Sequence, residues 1–176
     1  GVLNLNLVAA PKLVSYEGKT RWALTYNGSV PGPTLMVKPG DVLNINLVNK
    51  TGLMTNLHTH GLHVPPVANG DNPLIMISNG KSFKYQIKIP KNQRSGTFWY
   101  HPHHHEFVAK QLSAGLAGAI IVKDEIDIFL LSRLLFVISP KRHDSNAILG
   151  FQLYKNQQNR CRPVIIRSII FESHTG

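Results

Sequence analysis

The chain of 176 residues contains a single cysteine, few acidic residues and no long hydrophobic run. With Cys161 alone, no intrachain disulfide can form, so a disulfide-stapled fold is excluded and cysteine usage does not indicate the compartment. The longest apolar run, residues 128–138, is interrupted by Ser132 and Arg133. It falls short of the ~20 residues that a membrane-spanning helix needs, so we expect no membrane span. The opening residues 1–4 lack the pattern of a signal peptide, and we expect a mature or trimmed form.

Acidic residues number nine against 19 lysines and arginines, which gives a formal net charge of +10. Such a charge raises the question of nucleic-acid binding, which requires a basic patch, helix or groove. The lysines are instead scattered over alternating strand-like positions, as at Lys84 and Lys88. This pattern is typical of a solubilising surface, and we predict no nucleic-acid partner.

Helical periodicity is scarce, and the dominant period over residues 1–123 is two. Leu43, Ile45 and Leu47 alternate with polar residues, and a similar alternation runs through residues 84–89. Alternation of this kind indicates strands with one buried and one solvated face. Turn sequences rich in Gly, Pro, Asn and Asp separate these segments, and residues 107–116 suggest one short helical turn. The sequence therefore predicts an all-β sandwich.

The composition changes after Lys123. Residues 128–176 carry seven Lys and Arg against two Asp and Glu, and their apolar segments are short. We predict one domain at residues 1–125, followed at residues 126–176 by a linker and a poorly patterned C-terminal tail. The tail has too little patterned sequence for a second full domain, although it could be the truncated start of one.

Histidine, by contrast, is concentrated in two clusters. Seven of the nine histidines lie within residues 58–63 and 101–106, and each cluster contains a His-x-His pair. Residues i and i+2 of a strand project to the same face, and Pro102 favours extended backbone at the residue before it. If the pairs face each other across the sandwich, four imidazoles converge on a polynuclear metal site. The candidate ligands are His58, His60, His101 and His103.

An all-imidazole ligand set suits copper, zinc, nickel or iron and disfavours calcium and magnesium. Gly61, directly after the first pair, permits a close approach by another segment or a ligand. We interpret the remaining clustered histidines as hydrogen-bond partners or surface residues; these are His63, His104 and His105.

Several segments together resemble the first, N-terminal cupredoxin domain of the multicopper oxidases, the laccase-like copper enzymes. They occur in the family's order and cover roughly residues 1–125. The resemblance implies an all-β Greek-key β-sandwich of the cupredoxin type that binds copper. The segments are Tyr26-Asn-Gly-Ser-Val-Pro-Gly-Pro-Thr-Leu35, Lys38-Pro-Gly-Asp41, His58-Thr-His-Gly61, Gly96-Thr-Phe-Trp-Tyr-His-Pro-His103 and Gly115-Leu-Ala-Gly-Ala-Ile-Ile-Val122.

The resemblance also implies a role for each candidate residue. Four histidines would hold a trinuclear copper site that reduces dioxygen while a substrate is oxidised: His58 on the type 2 copper, and His60, His101 and His103 on the type 3 pair. Asp71 resembles an acidic residue that helps to move protons to dioxygen, although an Asp in Asn-Gly-Asp-Asn-Pro is also an ordinary turn former. Glu106 stands where the family usually has a glycine. A periplasmic or secreted location is implied as well.

The family takes its electrons from a blue, or type 1, copper held by His, Cys, His and a weak axial ligand. Here Cys161 is flanked by arginines, and no methionine follows it. In the family, the other trinuclear ligands come from a C-terminal cupredoxin domain. We therefore predict no type 1 copper in this chain, half of the trinuclear ligands, and an isolated chain that is inactive. The missing C-terminal domain or a partner chain would complete the site.

Two alternatives stay open at this point. The chain could be a non-catalytic domain that binds copper or has a purely structural role. A cupin-type protein with a single metal is the nearest enzymatic alternative, with His101, His103 and Glu106 as a His-x-His plus Glu set. A barrel hydrolase would need alternating helices and a longer chain, so the pattern does not favour it.

Overall fold

A computed structural model describes residues 1–16, 18–123, 135–143, 146–157 and 160–166. The chain divides into two compact units, residues 1–127 and 128–176. The first unit contains eight described strands and one short helix. These are β1 (Val2–Tyr16), β2 (Lys19–Tyr26), β3 (Gly32–Val37), β4 (Val42–Asn49), β5 (His58–His60), β6 (Ser82–Lys88), β7 (Gly96–His101), α1 (Val108–Ser113) and β8 (Gly118–Val122).

The strands form two four-stranded sheets, in agreement with the predicted all-β sandwich. The first sheet has the order β2-β1-β4-β6, and the second has the order β3-β8-β7-β5. Each sheet contains one parallel pair, β1 with β4 and β3 with β8, while the other neighbours are antiparallel. Parallel neighbours cannot be joined by a tight hairpin, so each sheet contains strands that are linked by crossover connections.

The core lies between the sheets and follows the alternation seen in the sequence. Leu43, Ile45 and Leu47 of β4 are almost completely buried, and they share one hydrophobic cluster with Leu35 and Ile120 of the second sheet. Fully burying a Leu or Ile side chain stabilises a fold by about 1.5–3 kcal/mol. All five residues of β8 are buried, because this strand lies inside its sheet and faces the core.

A close approach between β7 and β8 fixes the position of β7. A Cβ atom at Gly118 would lie 2.2 Å from the Tyr100 ring, so a residue without a side chain is required there. The Tyr100 hydroxyl donates a hydrogen bond to the Pro33 carbonyl at 2.7 Å. This packing holds the C-terminal end of β7, where His101 lies, against the rest of the second sheet.

Helix α1 lies within the segment for which one short helical turn was predicted. Its Gln111 is completely buried, and the side chain bonds to the segment before β5. The amide oxygen accepts from the Thr55 hydroxyl at 2.8 Å, and the amide nitrogen donates to the Met54 carbonyl at 2.8 Å. Among the described residues, no helix is long and apolar enough to cross a membrane.

The second unit contains β9 (Leu135–His143), β10 (Asn146–Gln157) and β11 (Arg160–Ile166). They form an antiparallel sheet in the order β11-β10-β9. Cys161 is on β11, where it is paired with Asn156. The predicted linker at residues 126–134 lies outside the described residues, and the domain boundary at residue 125 stays a prediction.

Candidate metal centre

The two histidine clusters meet on neighbouring strands of one sheet. Strand β5 pairs antiparallel with β7, so that His58 lies opposite His101 and His60 lies opposite Trp99. The condition considered for convergence, pairs that face each other across the sandwich, is not the arrangement found. The hydrogen-bonded ladder brings the imidazoles together instead, because cross-strand neighbours have Cβ atoms only ~5 Å apart.

Three side chains bring their ring nitrogens close together. His58, His60 and His101 each offer one nitrogen, and the three atoms lie within 4.8 Å of one another. The His101 Nε2 and the His60 Nδ1 are 3.4 Å apart. Imidazole nitrogens at these separations can hold a metal ion with small adjustments of the side chains.

His103 lies beyond the end of β7, since the strand ends at His101. The extended backbone considered for the second pair is therefore not continued, and His103 reaches the same region from a loop. Its ring centroid is 5.1 Å from that of His58 and 5.9 Å from that of His101. We call His58, His60, His101 and His103 the four-histidine centre.

Asp71 is buried and lies directly against His58. Its two carboxylate oxygens are 3.1 Å and 3.0 Å from the His58 Nδ1, and the Thr59 backbone N–H donates to the first of them at 3.0 Å. A carboxylate only accepts, so the proton of a neutral His58 is on Nδ1. The lone pair is then on Nε2, available to a metal, as in many carboxylate–histidine–metal arrangements.

Loss of contact with water lowers the pKa of two of the imidazoles, strongly for the buried His101 and in part for His60, whose side chain is exposed overall. It lowers the pKa of His101 from 6.5 to about 3, against a hydrogen bond to the Pro102 carbonyl that acts in the opposite direction. The neighbouring histidines lower this pKa further. Burial and the charges of His58 and His103 also lower the pKa of His60. Metal binding requires neutral imidazole, so both side chains are ready to bind at neutral pH.

Trp99 contributes an aromatic surface that the sequence did not predict. Its ring is stacked on His101, with centroids 4.0 Å apart and an interplanar angle of 21°. It is also stacked on His60 at 4.9 Å and 28°. The i to i+2 spacing on β7 and the cross-strand pairing with His60 explain both contacts, and they restrict the rotation of the two imidazoles.

The other three clustered histidines do not belong to the four-histidine centre. His63 is exposed, and its backbone N–H donates to Gln93. The His104 ring packs against Phe107 with centroids 5.4 Å apart, and its Nδ1 donates to the His105 carbonyl. His105 is exposed. None of the three belongs to the group of converging nitrogens in the described part of the chain.

Comparison with known proteins identifies the family of this chain. The model of the family described as Multicopper oxidase matches residues 9–127. The chain belongs to the multicopper oxidase family. The multicopper oxidase mco of Staphylococcus aureus is 38% identical over 111 residues, 62% of this chain and 24% of that protein. Laccase-1 of Trametes villosa is 37% identical over 123 residues, 65% of this chain and 22% of the laccase.

The fold agrees with solved multicopper oxidase structures. A multicopper oxidase from Campylobacter jejuni, described as a metallo-oxidase, superposes with a TM-score of 0.64 at 38% identity, over 70% of this chain and 26% of that one. The present chain thus spans about a quarter of the length of these relatives. Glu106, where the family usually has a glycine, has a φ of 70°. In this multicopper oxidase domain Glu106 therefore adopts the left-handed conformation that glycine favours, although it has a side chain.

Proposed function

We propose that residues 1–125 form the N-terminal copper-binding domain of a multicopper oxidase and supply four ligands to a type 2/type 3 trinuclear copper site. His58 would hold the type 2 copper, and His60, His101 and His103 would hold the type 3 pair. The observation that carries this proposal is the convergence of imidazole nitrogens at the end of the β5–β7 ladder. Copper bound there supplies the one-electron redox chemistry for reducing dioxygen as a substrate is oxidised.

The donor chemistry of the centre fits copper. All of the converging atoms are imidazole nitrogens, which suit copper and are poor ligands for calcium or magnesium. The buried carboxylate of Asp71 holds the proton of His58 on Nδ1 and turns Nε2 towards the centre. We propose that the same carboxylate also receives and releases protons during dioxygen reduction, since it is the buried acidic group that contacts a ligand.

Four imidazoles are half of a trinuclear ligand set, and two of them, His60 and His103, are exposed. We propose that a further cupredoxin domain or a partner chain covers this face and supplies the other ligands. The blue copper would also come from there, because Cys161 is flanked by arginines rather than by histidines. The four-histidine centre on its own should therefore bind copper without turnover.

Copper titration of the purified chain tests the metal proposal. We expect at most about two bound Cu²⁺ ions per chain. The electron paramagnetic resonance spectrum should show that their ligands are nitrogen atoms. His58→Ala and His101→Ala should each weaken binding at least about tenfold, whereas the control His63→Ala should not change it. A firmly bound third copper, an intense blue thiolate band, or full affinity in His101→Ala would contradict the proposal.

A non-catalytic copper-binding domain is the second candidate function, and the exposure of His60 and His103 favours it for the chain by itself. Dioxygen consumption in the presence of copper and a phenolic reductant separates the two. Consumption that requires a second cupredoxin domain supports the oxidase, and none in any combination supports simple metal binding. The cupin alternative loses its support, because the chain belongs to the multicopper oxidase family.

We also propose a periplasmic or secreted location, as the family resemblance implies. Fractionation of the source cells followed by immunodetection tests it. Recovery of the mature protein only with cytoplasmic markers would overturn it.

A further inference from the structure

Asn56 is a completely buried polar residue whose side chain joins two separate parts of the centre. It lies two residues before His58, in the segment that leads into β5. Its amide oxygen accepts a hydrogen bond from the His103 backbone N–H at 2.6 Å. Its amide nitrogen donates to the Pro73 carbonyl at 3.1 Å. The amide oxygen of Asn56 therefore bonds to the loop that carries His103, and its amide nitrogen bonds to the loop that carries Asp71.

The bond from the His103 N–H to Asn56 holds the chain just beyond the end of β7, where the hydrogen bonds of the sheet stop. Strand β7 ends at His101, and Pro102 has no backbone N–H to donate. The first backbone donor beyond the strand is therefore the N–H of His103. Because Asn56 accepts this bond from a buried position, the backbone of His103 is held although it belongs to no strand.

The bond to Pro73 anchors the other loop. The loop around Asp71 has local hydrogen bonds, such as the Gly70 N–H to the Val67 carbonyl, and two bonds to strands: the Gln86 N–H donates to the Asn69 carbonyl at 2.8 Å and the Thr59 N–H to the Asp71 carboxylate at 3.0 Å. The Asn56–Pro73 bond adds a further connection, two residues after the carboxylate that contacts His58. It is the bond whose side chain also holds the backbone of His103.

The backbone on either side of Asn56 is itself fixed. Thr55 and Ile77 exchange two backbone hydrogen bonds, at 3.1 Å and 2.9 Å. The Leu57 N–H donates to the buried Tyr85 hydroxyl at 3.0 Å. The Asn56 amide thus projects from a rigid support, which a residue needs if it is to hold others in place.

We propose that Asn56 is a positioning residue of the four-histidine centre, which holds His103 and the Asp71 loop at a fixed separation. The inference rests on the proposed function, since it assigns Asn56 a role in binding copper through His103. A purely structural role would affect the stability of the fold and leave the metal affinity unchanged.

The test compares Asn56→Leu with a matched control, Asn49→Leu. Asn49 is also completely buried, and its amide donates to the Leu53 and Ile77 carbonyls at 2.7 Å each and accepts from Thr51, none of which belongs to the centre. Both variants lose a buried amide and should lower the midpoint of unfolding in urea. Only Asn56→Leu should weaken Cu²⁺ binding, by about tenfold, and change the paramagnetic resonance spectrum of bound Cu²⁺.

Two further variants make the test specific. Asn56→Asp keeps an oxygen for the His103 N–H, so it should retain more Cu²⁺ affinity than Asn56→Leu, and it substitutes for that variant if the leucine chain does not fold. In a His103→Ala background, Asn56→Leu should have less than about threefold further effect on affinity, because partners that act together are not additive.

The outcomes separate the inference from the proposed function. If the unaltered chain does not bind Cu²⁺ through its histidines, the proposed function fails and the role of Asn56 fails with it. If the chain binds Cu²⁺ and Asn56→Leu has the affinity and spectrum of the unaltered protein, only the inference fails. An equal loss of affinity in Asn49→Leu would also overturn it.

Discussion

The imidazoles of the centre are oriented by partners of different chemical kinds. His58 is held by the Asp71 carboxylate, and His101 by the Pro102 carbonyl on one nitrogen and the Trp99 ring on one face. His60 is also stacked on the Trp99 indole. The orientation of each ring is therefore restricted before a metal binds, which reduces the conformational entropy that is lost on binding.

Asp71→Asn tests the orientation of His58. The amide oxygen can still accept from the Thr59 N–H, but the amide NH₂ group replaces the carboxylate oxygen nearer to His58 Nδ1 and cannot accept its proton, and the negative charge beside His58 is lost. We expect Cu²⁺ affinity to fall by about 10–100-fold with little change in stability. Chelator competition measures the affinity, and Asp41→Asn, which removes a carboxylate in the turn before β4, is the charge-matched control. Equal affinity in the two variants would contradict the role given to Asp71.

The buried His101 predicts an acid-labile fold in the metal-free protein. Its pKa is 6.5 when unperturbed and about 3 in the folded chain. Between these values the unfolded chain binds a proton that the folded chain does not, so the free energy of unfolding falls as the pH is lowered through this window. Above pH 6.5 the contribution is fully present, and by about pH 3 the loss reaches a few kcal/mol.

Urea unfolding of the chelated protein at several pH values checks this sign. Tryptophan fluorescence follows the transition, and His101→Gln provides the comparison. The variant should show a shallower loss of stability between pH 6.5 and 4 than the unaltered chain. Parallel pH profiles would show that His101 does not carry the effect.

At the level of elements, the centre depends on how tightly β7 and β8 approach. Gly118→Ala would place a methyl group 2.2 Å from the Tyr100 ring, and Tyr100 is completely buried. We expect destabilisation of about 3 kcal/mol or more, because the strands must separate to relieve the overlap. Gly80→Ala is the control: its φ is +80° but no atom lies near its Cβ, so only backbone strain of about 1 kcal/mol is expected. Urea unfolding midpoints compare the two.

The elements that sequence predicts best are those in which periodicity and burial coincide. Strands β4 and β6 follow the alternation of residues 42–49 and 82–88, and the turn between Phe107 and Leu116 forms α1. The order and direction of the strands were harder to predict from the sequence. Nothing local indicates that β1 pairs in parallel with β4, or that β5 and β7 lie side by side, because pairing partners are selected by packing across the whole unit.

The histidines of the centre were predictable because a His-x-His pair is a local signal. Their supporting residues were not. Asn56 and Gln111 look like ordinary polar residues, and their roles depend on partners that fold against them from far along the chain. Trp99 had a partial signal in its position two residues before His101, but its contact with His60 required the cross-strand register.

At the level of the whole molecule, copper binding should stabilise the fold that presents the histidines. A ligand that binds only the folded state raises the free energy of unfolding by about 2.7 kcal/mol at one hundred times its dissociation constant. We expect the melting temperature to rise with Cu²⁺ and to return on chelation. A chain ended after residue 125 should show the same rise, as the proposed domain boundary requires. A rise of equal size in His101→Ala would contradict binding at the centre.

The order of strands in the second sheet also governs when the centre can exist during synthesis. Strands β5 and β7 reach β3 only through β8, the last strand described in the first unit. Gly32 of β3 is paired with Gly118 of β8, so the sheet stays open until the ribosome has released the segment up to Val122. Long-range pairing of this kind is slow to form. The last ligand, His103, is therefore made 19 residues before β8 is complete at Val122, and copper acquisition should follow translation of the domain rather than accompany it.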